Sequence, residues 1–248
     1  MPRLSPSIGP RLFAPLALTA LLTCPAPAFA ARTHDIVAAD YFTVAHVAQV
    51  AISPDGSAVV WAESRWVKGQ ALRNVDLWVV NTRTRATKRL TFDSAADLHP
   101  QWSANSAWIY FASNRKRPSA VVPYDGKRQV WRIRPDGSGL MAVTRVSGGV
   151  ESFLVSGDGH AIVYTTGKKH VASGPHKGLR GKYGKLTYGR GVARLTHIWR
   201  LDLGTWRTRR LTKKADRYVR SLALSSDQTR IVAITVPTRQ LIDNEGWS

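Results

Sequence analysis

Apolar residues recur along the chain in short blocks, and small polar residues separate the blocks at regular intervals. Four times, an apolar residue precedes a serine, a turn rich in Asp, Asn or Gly follows, and an apolar triplet comes next. Asp and Asn side chains bond their own backbone and glycine tolerates positive φ, so each stretch predicts strand, tight turn, strand. The turns are Ser53–Gly56, Ser103–Ser106, Ser156–Gly159 and Ser225–Gln228, and the triplets begin at Val59, Ile109, Ile162 and Ile231.

Two further positions repeat in step with these hairpins. A tryptophan lies in the next apolar stretch, and a Leu-Thr or Val-Thr pair begins twelve residues after each tryptophan. The tryptophans are Trp78, Trp131 and Trp199, and the pairs are Leu90-Thr91, Val143-Thr144 and Leu211-Thr212. Each unit therefore holds about four short strands in roughly 50 residues, which is typical of a propeller blade.

The repeat predicts an all-β fold, an incomplete β-propeller of four-stranded blades with three full blades and the first half of a fourth. The blades are expected near residues 49–91, 98–144, 150–212 and 219–248. Propellers generally close with about 4–8 blades, so this ring is expected to be open and the chain to be a fragment. Unpaired strand edges and an uncovered blade face favour aggregation, so we expect residues 31–248 alone to be poorly soluble or partly folded.

The first thirty residues have the pattern of a signal peptide. Arg3 and Arg11 supply the positive charge, Leu12–Leu22 is apolar, and a small-x-small site ends at Ala30. The apolar run is shorter than the roughly 20 residues of a membrane-spanning helix. We expect cleavage after Ala30, a lead-in segment over 31–48, and a periplasmic or secreted protein. A retained N-terminal anchor and a lipoprotein site at Cys24 are the alternatives.

Charge and cysteine content narrow the possible partners. The formal net charge is +20, and the single cysteine lies inside the predicted signal. Without it the mature protein has no thiol for a disulfide, a nucleophile or a zinc-thiolate site. A basic surface can bind nucleic acid or other anions, but an exported protein rarely meets nucleic acid, so we expect a solvated basic surface and no stable membrane insertion.

A basic, glycine-rich insertion interrupts the third unit at residues 167–195. It contains seven glycines, eight basic residues and no acidic residue. The basic residues are Lys168, Lys169, Lys177, Arg180, Lys182, Lys185, Arg190 and Arg194, and Tyr183 and Tyr188 lie among them. Three roles remain open: a solvated surface loop, a loop that meets another domain or the substrate, and a polyanion-binding segment.

The chain resembles the propellers of TolB-type proteins and of the prolyl oligopeptidase family over residues 35–248. The peptidase likeness rests on the lead-in Asp40–Thr43 with Val50–Gly56, on Asp76–Thr91 with His99–Ser103 at the first blade junction, and on Thr196–Asp202. In that family the resemblance implies a following α/β-hydrolase domain with Ser, Asp and His in that order and a G-x-S-x-G nucleophile motif. The propeller there covers the active site and admits only short or unfolded peptides.

No catalytic, cofactor-binding or metal-binding residue is predicted within the chain itself. A complete G-x-S-x-G is absent, and Ser248 after Gly246-Trp247 lacks the buried strand that precedes a nucleophile. The recurring Asp55, Asp158 and Asp227 are interpreted as turn residues, because Asn105 takes the same place. Glu151 matches no family motif. None of the histidines has metal-ligand spacing: His34, His46, His99, His160, His170, His176 and His197.

The sequence therefore predicts the truncated, substrate-gating propeller of an exported serine peptidase that hydrolyses oligopeptides. The chain alone is predicted to be inactive and to need no cofactor, with peptide substrates reached through a hydrolase domain outside it. A non-catalytic, TolB-like periplasmic propeller that binds protein partners is the alternative, and a propeller attached to another hydrolase is the third possibility.

Overall fold

A computed structural model of the chain describes residues 35–67, 69–70, 72–167, 196–214 and 217–236. Internal contacts divide the chain into two units, Met1–Val37 and Ala38–Ser248. Only residues 35–37 of the first unit are described. The second unit begins with a four-residue helix, α1 (Ala38–Tyr41), which precedes the first strand. Within the described ranges, no helix has both the length and the apolar character needed to cross a membrane.

The second unit consists of antiparallel sheets, each built from consecutive strands. Among the described residues, three sheets have four strands in sequence order and a fourth sheet has two, which confirms three full blades and half of another. Blade 1 contains β1 (His46–Ile52), β2 (Ala58–Trp66), β3 (Arg73–Asn81) and β4 (Thr87–Arg89); blade 2 contains β5 (Asp97–Trp102), β6 (Ile109–Ser113), β7 (Gln129–Ile133) and β8 (Met141–Ala142). Blade 3 contains β9 (Ser152–Val155), β10 (Ala161–Gly167), β11 (Thr196–Asp202) and β12 (Thr208–Arg210), and the half blade contains β13 (Tyr218–Leu224) and β14 (Ile231–Val236).

The serine turns share one hydrogen-bond arrangement. In the first, the Ser53 hydroxyl donates to the Asp55 carboxylate at 2.6 Å and accepts the Ala58 N–H at 3.0 Å. The other three turns repeat both contacts, with Asn105, Asp158 and Asp227 as the side-chain acceptors. Hydrogen bonds from Ser53 and Ser57 lower the pKa of Asp55 to about 2. The recurring acids are therefore turn residues, as the substitution by Asn105 indicated.

The threonine of each Leu-Thr or Val-Thr pair ties the outer strand to the tryptophan strand. The Thr144 hydroxyl accepts the Val130 N–H at 2.8 Å and donates to the Gln129 side chain at 2.9 Å. Equivalent backbone contacts join Thr91 to Leu77 and Thr212 to Ile198. This contact explains the constant spacing between tryptophan and threonine, since both ends of the hydrogen bond are fixed by strand register.

Successive blades pack face to face through alternate residues of their strands. On β6, Ile109 and Phe111 pack with blade 1, whereas Tyr110 and Ala112 pack with blade 3. The two-residue period of a strand places these pairs on opposite faces of the sheet. Each inner blade is therefore buried on both faces, and the hydrophobic core runs through the whole series of blades.

Gly139 gives a direct test of the packing beside blade 2. Its φ is +69°, and a Cβ there would lie 2.9 Å from the Trp108 ring, whereas Gly56 has the same φ and open space. Both alanine variants meet the backbone penalty, but only Gly139→Ala also overpacks an indole that Arg132 and Arg134 hold in place. We expect Gly139→Ala to lower the free energy of unfolding by about 1–3 kcal/mol more than Gly56→Ala. Urea denaturation measures both, and equal losses would contradict the contact.

Candidate functional site

The strand order places two different kinds of loop at the two ends of each blade. The serine turns join first and second strands at one end, here called the turn end. At the other end, called the loop end, lie the connections from second to third strand and from one blade to the next. Gly167 pairs with Thr196 at the loop end, so the insertion leaves and rejoins the sheet there. Residues 168–195 themselves lie outside the described residues.

Glutamine side chains connect the first strands of neighbouring blades. The Gln49 side-chain oxygen accepts the His99 N–H at 2.7 Å, which joins β1 to β5. Gln101 donates to the Phe153 carbonyl at 3.0 Å and accepts the Val155 N–H at 2.9 Å, which joins β5 to β9. Gln49 and His99 both have positive φ and lie at β-bulges. The bulge in β5 exposes the His99 N–H, which regular pairing would hide, and the Gln49 side chain accepts it.

His99, Arg128 and Glu151 belong to the loop end of blades 2 and 3. Burial, assisted by the charge of Arg128, holds the pKa of His99 below its usual range, so its imidazole is neutral near pH 7. The Arg128 guanidinium donates to the Glu151 backbone carbonyl at 3.3 Å. The His99 backbone N–H has a structural role, since it donates to the Gln49 side chain. Guanidinium and neutral imidazole groups can also bind peptide carbonyl and carboxylate groups.

Other cationic side chains at the loop end contact carboxylate or backbone carbonyl groups of the protein itself. Lys127 donates to the Ser147 carbonyl at 2.5 Å and lies 3.7 Å from the Asp125 carboxylate. Arg117 pairs with Asp93 at 2.8 Å. The basic character of the described loop end is therefore partly neutralised.

A buried ion network lies between blades 1 and 2. The Arg115 side chain is 4% exposed and contacts Asp97 at 2.8 Å and Asp93 at 3.1 Å. Burial raises the pKa of Asp97 to about 6, against the opposing charge of Arg115. Desolvation of this kind is also common at functional sites, but here every partner belongs to the junction between two blades. The network is structural.

Outer-rim clefts between blades follow from the repeat. A cleft of about 700 Å³ between blades 2 and 3 includes Val143, Thr144 and Leu201. A cleft of about 500 Å³ between blades 1 and 2 includes the equivalent Leu90, Thr91 and Ile133. Because both contain the same repeat positions, they follow from blade geometry and do not mark a dedicated ligand site.

The remaining candidates of the sequence analysis fall into two groups. Ser248, His34, His170 and His176 lie outside the described residues, and the absence of a catalytic role for Ser248 stays a prediction. The others occupy structural places: His46 on β1, His160 in the third serine turn, and His197 with its ring 3.1 Å from the Thr212 hydroxyl. Over the described ranges, no group of three His, Cys, Asp or Glu residues could hold a metal ion.

No family model matches the chain. Dipeptidyl-peptidase 5 from Porphyromonas endodontalis is 29% identical over 123 residues, which make up 50% of this chain and 16% of that protein. The chain thus matches only a small part of this curated relative. The match gives a peptidase relative for half of the present sequence.

Solved structures support the fold at lower identity. Acylaminoacyl peptidase from Pyrococcus horikoshii aligns over 78% of this chain and 28% of its own, with a TM-score of 0.52 and 12% identity. An oligogalacturonate lyase solved with manganese aligns over 77% of this chain and 47% of its own, with a TM-score of 0.53 and 18% identity. The chain resembles the TolB-like propeller part of prolyl-oligopeptidase-family peptidases, as its blade motifs predicted.

Proposed function

We propose that the chain is the substrate-gating propeller of an exported serine peptidase that hydrolyses oligopeptides. The observation that carries the proposal is the 29% identity to dipeptidyl-peptidase 5 over half of the chain. In the proposed protein, the nucleophilic serine, the histidine base and the orienting aspartate belong to an α/β-hydrolase domain outside these 248 residues. Export depends on residues 1–30 as a signal peptide.

The contacts between blades support the proposed gating role. Glutamine side chains and buried apolar faces connect each blade to the next, so the assembly resists the widening that a folded substrate would require. Peptides that reach the loop end meet the neutral His99 imidazole and the Arg128 guanidinium, which can donate to carbonyl and carboxylate oxygens. The propeller would thus select by size and orient by hydrogen bonding.

Labelling with a fluorophosphonate probe tests the peptidase assignment. An antiserum raised against the purified 248-residue chain would recover the natural protein from an extract that has been treated with the probe. We expect the recovered polypeptide to carry the label and to lose it when the extract is denatured first, because only a folded serine hydrolase activates its nucleophile. The 248-residue chain produced alone should stay unlabelled.

The labelling experiment can also contradict the peptidase proposal. Recovery of an unlabelled polypeptide, from an extract in which other serine hydrolases are labelled, would end the peptidase proposal. That result would leave a non-catalytic propeller that binds protein partners.

A further inference from the structure

The strand positions of the repeat show which neighbour each side chain faces. Residues six and eight positions after the turn serine pack against the preceding blade, as Ile109 and Phe111 do in blade 2 and Ile162 and Tyr164 do in blade 3. The tryptophan strand follows the same rule, since Trp131 packs with blade 1. Every blade therefore has a defined face toward the blade before it.

In blade 1, no other blade covers this face within the described residues, and the guanidinium of Arg65 from blade 1 itself lies 5.7 Å from the centroid of the Trp78 ring. We call this face the open face, and it includes Val50, Ile52, Val59, Trp61, Trp78 and Val80. Ile52 is 67% exposed, whereas Trp102, its equivalent in blade 2, is 9% exposed. Val50 is 60% exposed, whereas Phe153, its equivalent in blade 3, is 5% exposed.

The open face already has the geometry of a covered one. Trp61 and Trp78 stack with ring centroids 6.4 Å apart and planes at 15°. The equivalent pair in blade 3, Tyr164 and Trp199, stacks at 6.5 Å and 8° and packs against blade 2. A large apolar sheet face exposed in this way is typical of an interaction surface.

Arg65 adds a charge to the edge of the open face. It lies twelve residues after its turn serine, as Arg115 does in blade 2, but its side chain is 56% exposed and that of Arg115 is 4% exposed. Arg115 binds Asp97 from its own blade and Asp93, which follows Thr91 of the preceding blade by two residues. Arg65 pairs with Glu63 of its own blade, and the described residues give it no carboxylate from a preceding blade.

We infer that the open face is an interblade interface whose partner is a further propeller blade of the same polypeptide. That blade presents aliphatic side chains to Trp61 and Trp78, as blade 1 presents Val60 and Leu77 to blade 2. It also carries a carboxylate two residues after its own Leu-Thr or Val-Thr pair, which binds Arg65. The inference rests on the propeller fold and does not depend on the proposed peptidase activity.

Charge argues against a second copy of these blades as the partner. The positions two residues after the pairs in blades 2 and 3 are Val146 and Lys214. Val146 offers no charge, and Lys214 would repel Arg65. Asp93 is the acid at this position in blade 1, where it binds Arg115 and Arg117. The partner blade therefore differs from blades 2 and 3 at this position.

Photo-crosslinking of the protein expressed from its complete gene tests the inference. Benzoylphenylalanine replaces Trp61 in one variant and Val121 in the control, because Val121 is 65% exposed in a loop away from the open face. We expect position 61 alone to give an intramolecular crosslink, and mass spectrometry to place it in a blade outside residues 35–236. A crosslinked dimer, or a yield at position 61 no higher than at position 121, would overturn the inference.

A charge change at Arg65 tests the carboxylate. Arg65→Glu should lower the crosslink yield at position 61 several-fold, and Arg65→Lys should keep most of it, because lysine preserves the charge. Arg83→Glu, in the exposed β3–β4 turn, is the matched control and should leave the yield unchanged. An undiminished yield in Arg65→Glu would contradict the partner carboxylate. Fluorophosphonate labelling of the same protein reports separately on the peptidase.

Discussion

Replacing Arg115 with methionine is expected to lower the free energy of unfolding by about 3–5 kcal/mol, because the change leaves a buried carboxylate without its cation. Asp97 is fully buried, and its contact with Arg115 is 2.8 Å long. Methionine retains much of the volume of the arginine stem, so the loss reports chiefly on charge. Urea denaturation at pH 7.5 measures it.

Arg117→Met is the matched control for this variant. Arg117 also pairs with Asp93, but its side chain is 48% exposed, so water replaces the lost contact and stability should change little. The double variant Arg115→Met with Asp97→Asn should recover part of the loss, since the amide carries no charge. If Arg115→Met and Arg117→Met cause equally small losses in free energy of unfolding, the junction between blades 1 and 2 does not depend on the buried ion pair.

The loss in free energy of unfolding caused by Arg115→Met should also depend on pH. Burial raises the pKa of Asp97 to about 6 in the folded protein, compared with about 3.9 in an unfolded chain. The folded state therefore holds the Asp97 proton more tightly, and this group's contribution to stability falls as pH rises from about 4 to 6. Removing Arg115 raises the folded pKa further and extends that window upward. The destabilisation by Arg115→Met should thus shrink toward pH 4, and a constant loss from pH 4 to 8 would contradict this account.

Phe111→Ala is expected to lower the free energy of unfolding by about 3–5 kcal/mol, a loss similar to that of Arg115→Met. Phe111 is fully buried in β6 and packs with Val60, Leu77 and Trp131 between blades 1 and 2. The substitution leaves a cavity that the flanking sheets cannot close without breaking their strand pairing. Chemical denaturation followed by circular dichroism measures the change.

Phe92→Ala removes the same side chain at an exposed position. Phe92 is 71% exposed and contacts the Arg89 guanidinium with its ring, so its loss should cost far less than that of Phe111. Similar losses at both positions would mean that the interblade core is not the main source of stability.

Most of the architecture could be predicted from the sequence because it depends on local spacing. The turn serines and their Asp or Asn partners act within five residues, and the Thr91 and Thr144 contacts depend only on strand register. Strand alternation also separates residues into two faces. Alternation does not show which face packs against which neighbouring blade. That assignment depends on the curvature of the series of blades, which only the structure shows.

Two kinds of interblade contact gave no recognisable signal in the sequence. The glutamines at 49 and 101 occupy different positions of the repeat, so a comparison of blades did not align them. The partners of Arg115 lie in a connecting segment and at the start of a strand, where a charged residue suggests only a solvated turn. Their importance follows from burial, because a pair that would contribute little at the surface becomes costly to break when it is covered.

Each blade is made of consecutive strands, with no strand exchanged between the first sheet and any other described sheet. A blade can therefore complete its own hydrogen bonds while the rest of the chain is still leaving the ribosome, and its contacts stay short in sequence. The same arrangement has an evolutionary consequence. One contiguous stretch of DNA encodes one blade, so a single duplication or deletion within the gene can change the number of blades and leave the remaining ones intact.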